Sequence, residues 1–215
     1  MKLYYSPGAC SLVAHIALAE SGAEYELERV ILAEGHHLRP EFLAINPHAR
    51  VPALASDGRV ITENVAILNY VADLFGAGGS VPRGSALEAA RCNELLGWFA
   101  SSVHIGFAGV WRAERFTDDE SAWPAIQNGG RTAVERHFEE IEGLCGPAWI
   151  AGDQFTAADS YVATFYRWGR RIGLDMSKFP NMAALVGRVI ERPTVAKTIA
   201  DEGLQLSEFA SERAE

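Results

Sequence analysis

Over the first 75 residues, the spacing of apolar positions switches repeatedly between a strand-like period of two and a helical period. An Asp-Gly pair between two short apolar runs predicts a tight hairpin at residues 57–58. The predicted strands are residues 2–5, 25–31, 51–55 and 59–62, and the predicted helices are residues 10–21, 38–45 and 63–75. This β-α-β-α-β-β-α order predicts a mixed four-stranded sheet covered by helices, as in a thioredoxin-like domain.

Beyond this segment the pattern is helical only. Residues 76–84 hold four glycines and a proline, which is typical of a linker. The predicted helices that follow are residues 87–115, 130–144, 156–172, 182–191 and 194–199. The predicted fold class is therefore α/β plus all-α: a thioredoxin-like domain at residues 1–77, a linker at 78–84, and an all-helical bundle domain at 85–215.

Charge and composition exclude several classes of function. The chain has 215 residues and a formal net charge of −9. Such an acidic chain repels phosphate backbones, so we expect no nucleic-acid partner. No apolar run approaches the roughly 20 residues of a membrane span, and the N-terminus lacks the apolar core of a signal peptide. We therefore expect no membrane partner and a cytoplasmic location.

The cysteines and histidines predict neither a disulfide scaffold nor a metal site. The three cysteines are widely spaced along the chain, and no pair has the short spacing typical of zinc ligands. The histidines form no H-x-x-x-H pair. We expect no metal cofactor.

An ordered set of short motifs supplies the candidate chemistry. They are residues 5–11 (Tyr-Ser-Pro-Gly-Ala-Cys-Ser), 46–47 (Asn-Pro), 51–54 (Val-Pro-Ala-Leu), 61–67 (Ile-Thr-Glu-Asn-Val-Ala-Ile), His104, and 155–159 (Phe-Thr-Ala-Ala-Asp). In this order and spacing they resemble the beta-class glutathione transferases over nearly the whole chain. The resemblance implies an enzyme that conjugates the thiolate of glutathione, its co-substrate, to small hydrophobic electrophiles. It also implies a homodimer.

Two motifs suit the peptide part of glutathione. Val51-Pro52 resembles the family's cis-proline turn, which exposes the backbone of Val51 to an extended peptide; an ordinary trans proline is the alternative. Glu63-Asn64 stands where a strand gives way to a helix, so free N–H groups and Asn64 suit a carboxylate and Glu63 suits an ammonium. The alternative is plain helix capping. We expect Val51, Pro52, Glu63 and Asn64 to bind glutathione.

The predicted catalytic residues are Cys10, Ser11 and His104. Cys10 and Ser11 open the first helix, where the helix dipole favours a thiolate, so we expect a Cys10 pKa below the roughly 8.5 of free cysteine. A buried structural cysteine is the alternative. By resemblance, His104 reaches the ligand sulfur. The alternative is a histidine on the face of its helix whose ring is hydrogen-bonded to a neighbouring residue. By resemblance, Tyr5 and Ala9 also contact glutathione, together with Cys10 and His104.

The helical domain is expected to supply an apolar wall for the second substrate. Its candidate residues are Phe107, Val110, Trp111 and Trp168; core packing is the alternative for Trp168. By resemblance, residues 155–159 form a capping box that serves folding. The chain departs from many relatives by lacking a lysine at residues 33–37, and by Gly97 and Ile105, so the outer ligand contacts are expected to be fewer or different.

Two rival functions remain open from the sequence. One is glutathione-dependent reduction of disulfides or peroxides through Cys10. The other is a non-catalytic glutathione-binding module, because fold does not fix function.

Overall fold

A computed structural model describes residues 1–76, 78 and 80–210 of the chain. Its strands are β1 (Lys2–Tyr5), β2 (Glu26–Arg29), β3 (Ala53–Ser56) and β4 (Arg59–Thr62). They form one sheet in the order β2-β1-β3-β4, with β1 parallel to β2 and the other two pairs antiparallel. The predicted mixed four-stranded sheet is confirmed, and the predicted hairpin joins β3 to β4.

The helices also follow the predicted division. They are α1 (Ser11–Glu20), α2 (Pro40–Leu43), α3 (Asn64–Phe75), α4 (Ala86–Trp98), α5 (His104–Trp111), α6 (Trp123–Leu144), α7 (Ala157–Arg171), α8 (Pro180–Ile190) and α9 (Pro193–Asp201). Helices α1 to α3 flank the sheet, and α4 to α9 form the helical domain. We retain the boundaries 1–77 and 85–215 as a proposal; positions 77, 79 and 211–215 lie outside the described residues.

Helix α1 joins the two domains. Its residues from Ser11 to Leu18 are all buried, which is typical of a helix covered on every side. Ala14 and Leu18 pack in the core of the small domain, whereas Leu12 and Ile16 belong to the larger core built around α7. The loop that precedes α1 is therefore held at the junction of the domains.

The predicted helix at 87–115 is wrong as a single element. A π-helical segment, Phe99–Val103, separates α4 from α5, and α5 ends at Trp111. The π turn shifts the helical register by one residue without interrupting the apolar pattern, so periodicity alone does not reveal it. π-Helical turns are frequent at functional sites, and this one directly precedes His104.

The predicted helix at 130–144 starts too late, because α6 continues through Gly129 and Gly130. A Cβ at Gly130 would lie 2.8 Å from the Gly106 carbonyl oxygen and 2.8 Å from the Val110 nitrogen on α5. Gly130 therefore allows the two helices to cross at close range. Here glycine marks a tight packing contact rather than a helix end.

The predicted capping box at the start of α7 is confirmed. One Asp159 oxygen accepts from the Thr156 backbone N–H at 2.8 Å, and the other accepts from Ile150 N–H at 2.8 Å. Burial raises the pKa of Asp159, and these hydrogen bonds oppose that shift. None of the described helices is long and apolar enough to cross a bilayer.

Candidate active site

A cleft between the two domains contains two adjoining cavities. The inner cavity has a volume of about 250 Å³ and reaches Glu63 and Asn64 at the start of α3. The outer cavity has a volume of about 480 Å³ and reaches Trp111 and Trp168 of the helical domain. Both cavities are lined by Cys10, Arg50, Val51, His104, Ala108 and Arg115. The cleft can therefore hold two molecules that meet near Cys10.

Cys10 lies at the shared wall of the cavities, where α1 begins. Its thiol donates a hydrogen bond to the Val51 carbonyl at 3.3 Å, and the predicted cis bond between Val51 and Pro52 is confirmed. Burial raises the pKa of the Cys10 thiol to about 12, and nearby Glu63 adds to the shift. The expectation of a lowered pKa is wrong, because desolvation outweighs the helix terminus. Cys10 is a protonated thiol at neutral pH.

The structure places Ser11 and Tyr5 away from both cavities. Ser11 is fully buried; its hydroxyl accepts from Ser6 N–H at 3.1 Å and donates to the Ser6 carbonyl at 3.2 Å. Tyr5 packs in the small-domain core against the His15 ring. The Ser11 hydroxyl thus fixes the shape of the loop before α1, whereas a catalytic role requires contact with the reacting sulfur.

Glu63 and Asn64 line the inner cavity, as the sequence predicts. Glu63 precedes α3 in a left-handed conformation with φ of 69°, a strained backbone of the kind found at ligand sites. Its exposed carboxylate has no ion pair within the described part of the chain. Asn64 donates to the Cys10 carbonyl at 2.9 Å and to the Tyr161 hydroxyl at 2.8 Å. Asn64 therefore ties the Cys10 loop to α7.

His104 lines both cavities from the first turn of α5. Its ring lies 5.2 Å from the Trp168 ring, centroid to centroid. Burial, followed by the charges of Arg115 and Arg50, lowers the pKa of His104 to about 4. The imidazole is therefore neutral at physiological pH and has one N–H to donate toward the cleft.

Two of the four residues predicted to form an apolar wall line a cavity. Trp111 and Trp168 line the outer cavity, and so does Ala9 on the opposite side. Phe107 lies one layer deeper: it is fully buried and stacks on Trp111 at 5.3 Å. Val110 lines neither cavity, and its backbone nitrogen lies at the crossing of α5 with α6. Phe107 therefore supports the wall from behind, whereas Val110 takes no part in it, because a helix presents only one face to the cleft.

The helical domain clamps the loop before α1 at Gly8. The Gly8 N–H donates to Glu202 at 2.7 Å, and its carbonyl accepts from Trp168 Nε1 at 2.8 Å and from Arg167 at 3.2 Å. Gly8 has φ of 65°, and a Cβ there would clash with the Arg167 guanidinium. The clamp is a long-range contact that no local motif indicates.

Several further lining residues were not predicted from the sequence, among them Tyr161, Arg50 and Arg115. Tyr161 lines the inner cavity from α7, its hydroxyl accepts from Asn64 at 2.8 Å, and burial raises its pKa well above the usual range. Its spacing with Phe165 and Trp168 is that of an apolar helix face, which indicates core. Arg50 and Arg115 line both cavities, yet each stands in a polar segment without a motif.

No group of three or more His, Cys, Asp or Glu residues that could hold a metal ion occurs within residues 1–76, 78 and 80–210.

Comparison with known proteins identifies relatives of the whole chain. Residues 1–73 match the family model described as glutathione S-transferase, N-terminal domain, and residues 125–193 match that of the C-terminal domain. Glutathione S-transferase GstA of Escherichia coli O157:H7 is 34% identical over 95% of this chain and 100% of its own length.

Solved structures agree with these matches. A bacterial beta class glutathione S-transferase of Sphingomonas chungbukensis superposes with a TM-score of 0.82 at 36% identity, covering 95% of this chain and 100% of the other. A glutathione transferase homologue from Sulfitobacter, solved with bound glutathione, superposes with a TM-score of 0.88 at 28% identity, covering 95% and 98%.

Proposed function

The chain belongs to the glutathione S-transferase family, and we propose that it conjugates glutathione to a small electrophile with an apolar body in the interdomain cleft. Glutathione binds in the inner cavity, and the electrophile binds against Trp111 and Trp168 in the outer one. The sulfur of glutathione attacks an electrophilic carbon where the cavities meet.

The binding of glutathione rests on four sets of groups. The Glu63 carboxylate accepts the γ-glutamyl ammonium, and the free N–H groups at the start of α3 accept the carboxylate beside it. The Val51 backbone pairs with the cysteinyl part as an added strand. The second carboxylate of glutathione lies within reach of a cation that lines both cavities, Arg50 or Arg115, so the chain supplies a positive charge without the lysine found in many relatives.

The state of the Cys10 thiol is the observation that carries the proposal. A sulfur with a pKa of about 12 is a poor nucleophile at neutral pH, because the thiolate is the reactive form. The same sulfur is a hydrogen-bond donor, now directed at the Val51 carbonyl. When glutathione occupies the strand position at Val51, the Cys10 S–H turns to the ligand sulfur and stabilises its thiolate. The attacking sulfur is therefore that of glutathione, and the redox alternative is disfavoured.

The neutral imidazole of His104 adds a second donor to the ligand thiolate, and the positive charges of Arg50 and Arg115 lower the pKa of the bound thiol. Positioning both substrates in one cleft supplies the remaining rate enhancement.

A conjugation assay with a panel of halogenated aromatics and unsaturated carbonyl compounds tests the proposal. We expect glutathione-dependent product well above the uncatalysed rate for at least one class. Binding of glutathione without conjugation of any panel member would favour the non-catalytic binding module.

We further propose a homodimer that acts in the cytoplasm. Apolar side chains are exposed at the end of α3 and the start of α4, where Leu74, Phe75 and Leu87 are 51%, 43% and 79% exposed; such a patch is typical of an interface.

The proposed cytoplasmic location is supported by the cysteines: three free, buried cysteines suit a reducing compartment. Cell fractionation followed by immunodetection tests the location.

A further inference from the structure

The outer cavity carries a concentration of positive charge. Its lining includes four arginines: Arg50, Arg112, Arg115 and Arg171. Among the residues that the structure describes, no Asp or Glu lines this cavity, although acidic residues outnumber Lys and Arg by 28 to 19 in the chain. The lining of this cavity is thus positively charged in a chain of net charge −9, whereas a purely apolar pocket has no charged side chains.

The acidic residues described around the cavity only partly neutralise these charges. Arg112 lies 3.9 Å from the exposed Glu114, the limit of an ion pair. The charge of Arg171 helps to lower the pKa of Glu208, but the Glu208 carboxylate already forms an ion pair with Arg167 at 2.7 Å. Burial and the charges of Arg50 and Arg112 lower the pKa of Arg115. The cavity therefore holds mutually repelling cations that an anion would stabilise.

Glutathione does not account for all four arginines. Arg50 and Arg115 also line the inner cavity and can serve a glutathione carboxylate, whereas Arg112 and Arg171 line only the outer cavity. Trp111 and Trp168 line the same cavity, and the centroids of their two rings lie 5.3 Å apart. The outer cavity thus combines an aromatic wall with two guanidinium groups that glutathione leaves free.

We propose that the electrophile conjugated by this enzyme is an organic anion: an aromatic or unsaturated carboxylic acid whose carboxylate binds Arg112 and Arg171. The planar guanidinium fork suits a carboxylate, and the apolar part of the substrate packs on the two tryptophans. This inference rests on the proposed transferase function. For a haloaromatic acid, the thiolate forms the new C–S bond, the halide leaves with the C–halogen electron pair, and the thiol proton passes to solvent.

The test compares a chloronitrobenzoate with the primary amide of the same ring. Each kcat/KM is divided by the uncatalysed rate constant, because the amide activates the ring more strongly. We expect the corrected value to favour the acid at least about tenfold, which corresponds to about 1.4 kcal/mol. In the variants Arg112→Gln and Arg171→Gln, the ratio of the corrected kcat/KM for the acid to that for the amide should fall toward one. The preference persists in Arg91→Gln, a matched control whose side chain pairs with Glu94 on the surface of α4.

The outcomes distinguish the preference for an anion from the transferase function itself. Equal corrected rates for acid and amide would overturn the anion preference and leave the transferase standing. Conjugation of neither compound, with glutathione still bound, would count against both. Calorimetry with S-(carboxybenzyl)glutathione and S-(carbamoylbenzyl)glutathione gives a readout without turnover. The acid should bind about tenfold more tightly, and equal affinities would overturn the inference.

Discussion

At the scale of single residues, the chemistry of the cleft depends on two groups that burial keeps neutral. Cys10 is held as a thiol and His104 as an imidazole, with pKa values of about 12 and about 4. Both are hydrogen-bond donors without charge, and both line the two cavities. Neutral donors next to arginines stabilise a ligand thiolate without competing with it for attack.

Replacing Cys10 should separate two activities. Cys10→Ala removes one neutral donor, worth about 1 kcal/mol, so we expect conjugation to remain within about tenfold of wild type. Thiol exchange with oxidised glutathione needs a protein thiolate, so it should be slow in wild type, where Cys10 is protonated, and the remaining exchange should be lost in the variant. Steady-state assays of both activities check this, with Cys145→Ala as a control outside the cleft. Joint loss of both activities with intact glutathione binding would support a mechanism centred on Cys10.

The pH profile should carry no signature of His104. Because its pKa is lowered to about 4, the imidazole is already deprotonated across the range of about pH 5 to 8 in which a free histidine titrates. We expect kcat/KM to rise with pH through one ionisation, that of the glutathione thiol. A second inflection near pH 6.5 that disappears in His104→Gln would contradict this assignment.

Removing the Glu63 charge should weaken glutathione binding. Glu63→Gln leaves the ligand ammonium without its carboxylate, and we expect a loss of about 1.5–3 kcal/mol, or roughly 10- to 150-fold in Kd. Calorimetry with glutathione measures it. Glu139→Gln, an exposed residue of α6 outside both cavities, is the matched control. Equal affinity of Glu63→Gln and wild type would show that the ammonium binds elsewhere.

At the scale of elements, the close crossing of α5 and α6 fixes the position of His104. The Gly130 backbone lies against Gly106, Gly109 and Val110, with no room for a Cβ. Gly129 is its neighbour on α6, and a Cβ there would meet open space. The pair offers a direct comparison of packing against helix propensity.

We expect opposite effects of alanine at these two positions. Gly130→Ala forces the helices apart and should lower the free energy of unfolding by about 1–3 kcal/mol. Gly129→Ala should raise it by about 0.5–1 kcal/mol through helix propensity. Urea unfolding of both variants measures the difference. An unchanged stability of Gly130→Ala would show that the crossing is looser than described.

The same elements show where sequence reasoning succeeds. The order of strands and helices along the chain and the β3–β4 hairpin follow from local patterns and are confirmed, and so is the capping box of Thr156, which the family resemblance implies. The π-helical turn and the role of Gly130 depend on contacts between helices distant along the chain. For the same reason Tyr161 resembles a core residue on α7, and Arg115 resembles a surface residue, until the two domains are brought together.

At the scale of the whole molecule, the cleft requires both domains and the contacts that join them. Helix α1 packs in both cores, and Gly8 is bound by Glu202, Arg167 and Trp168 from the helical domain. The loop that carries Cys10 is therefore positioned by residues about 160 or more positions away. Local motifs predict the loop, and the interdomain packing determines its geometry.

The proposed dimer can be tested on the same scale. Light scattering at micromolar concentration should report twice the chain mass. Leu87→Asp places a charge in the exposed apolar patch of α3 and α4 and should shift the protein toward the monomer. Leu206→Asp, at a residue 42% exposed near the C-terminus, should remain dimeric. A monomeric wild type would contradict the proposal.

The most direct test of the account is a spectroscopic titration of the thiolate in the glutathione complex, with wild type and Cys10→Ala compared. Free cysteine has a pKa of about 8.5, and the cationic cleft should move the bound glutathione thiol at least about one unit below its value in free solution. The same thiolate signal should appear in Cys10→Ala, because it belongs to the ligand. A thiolate signal that vanishes in Cys10→Ala while glutathione remains bound would assign the ionised sulfur to the protein and contradict the account.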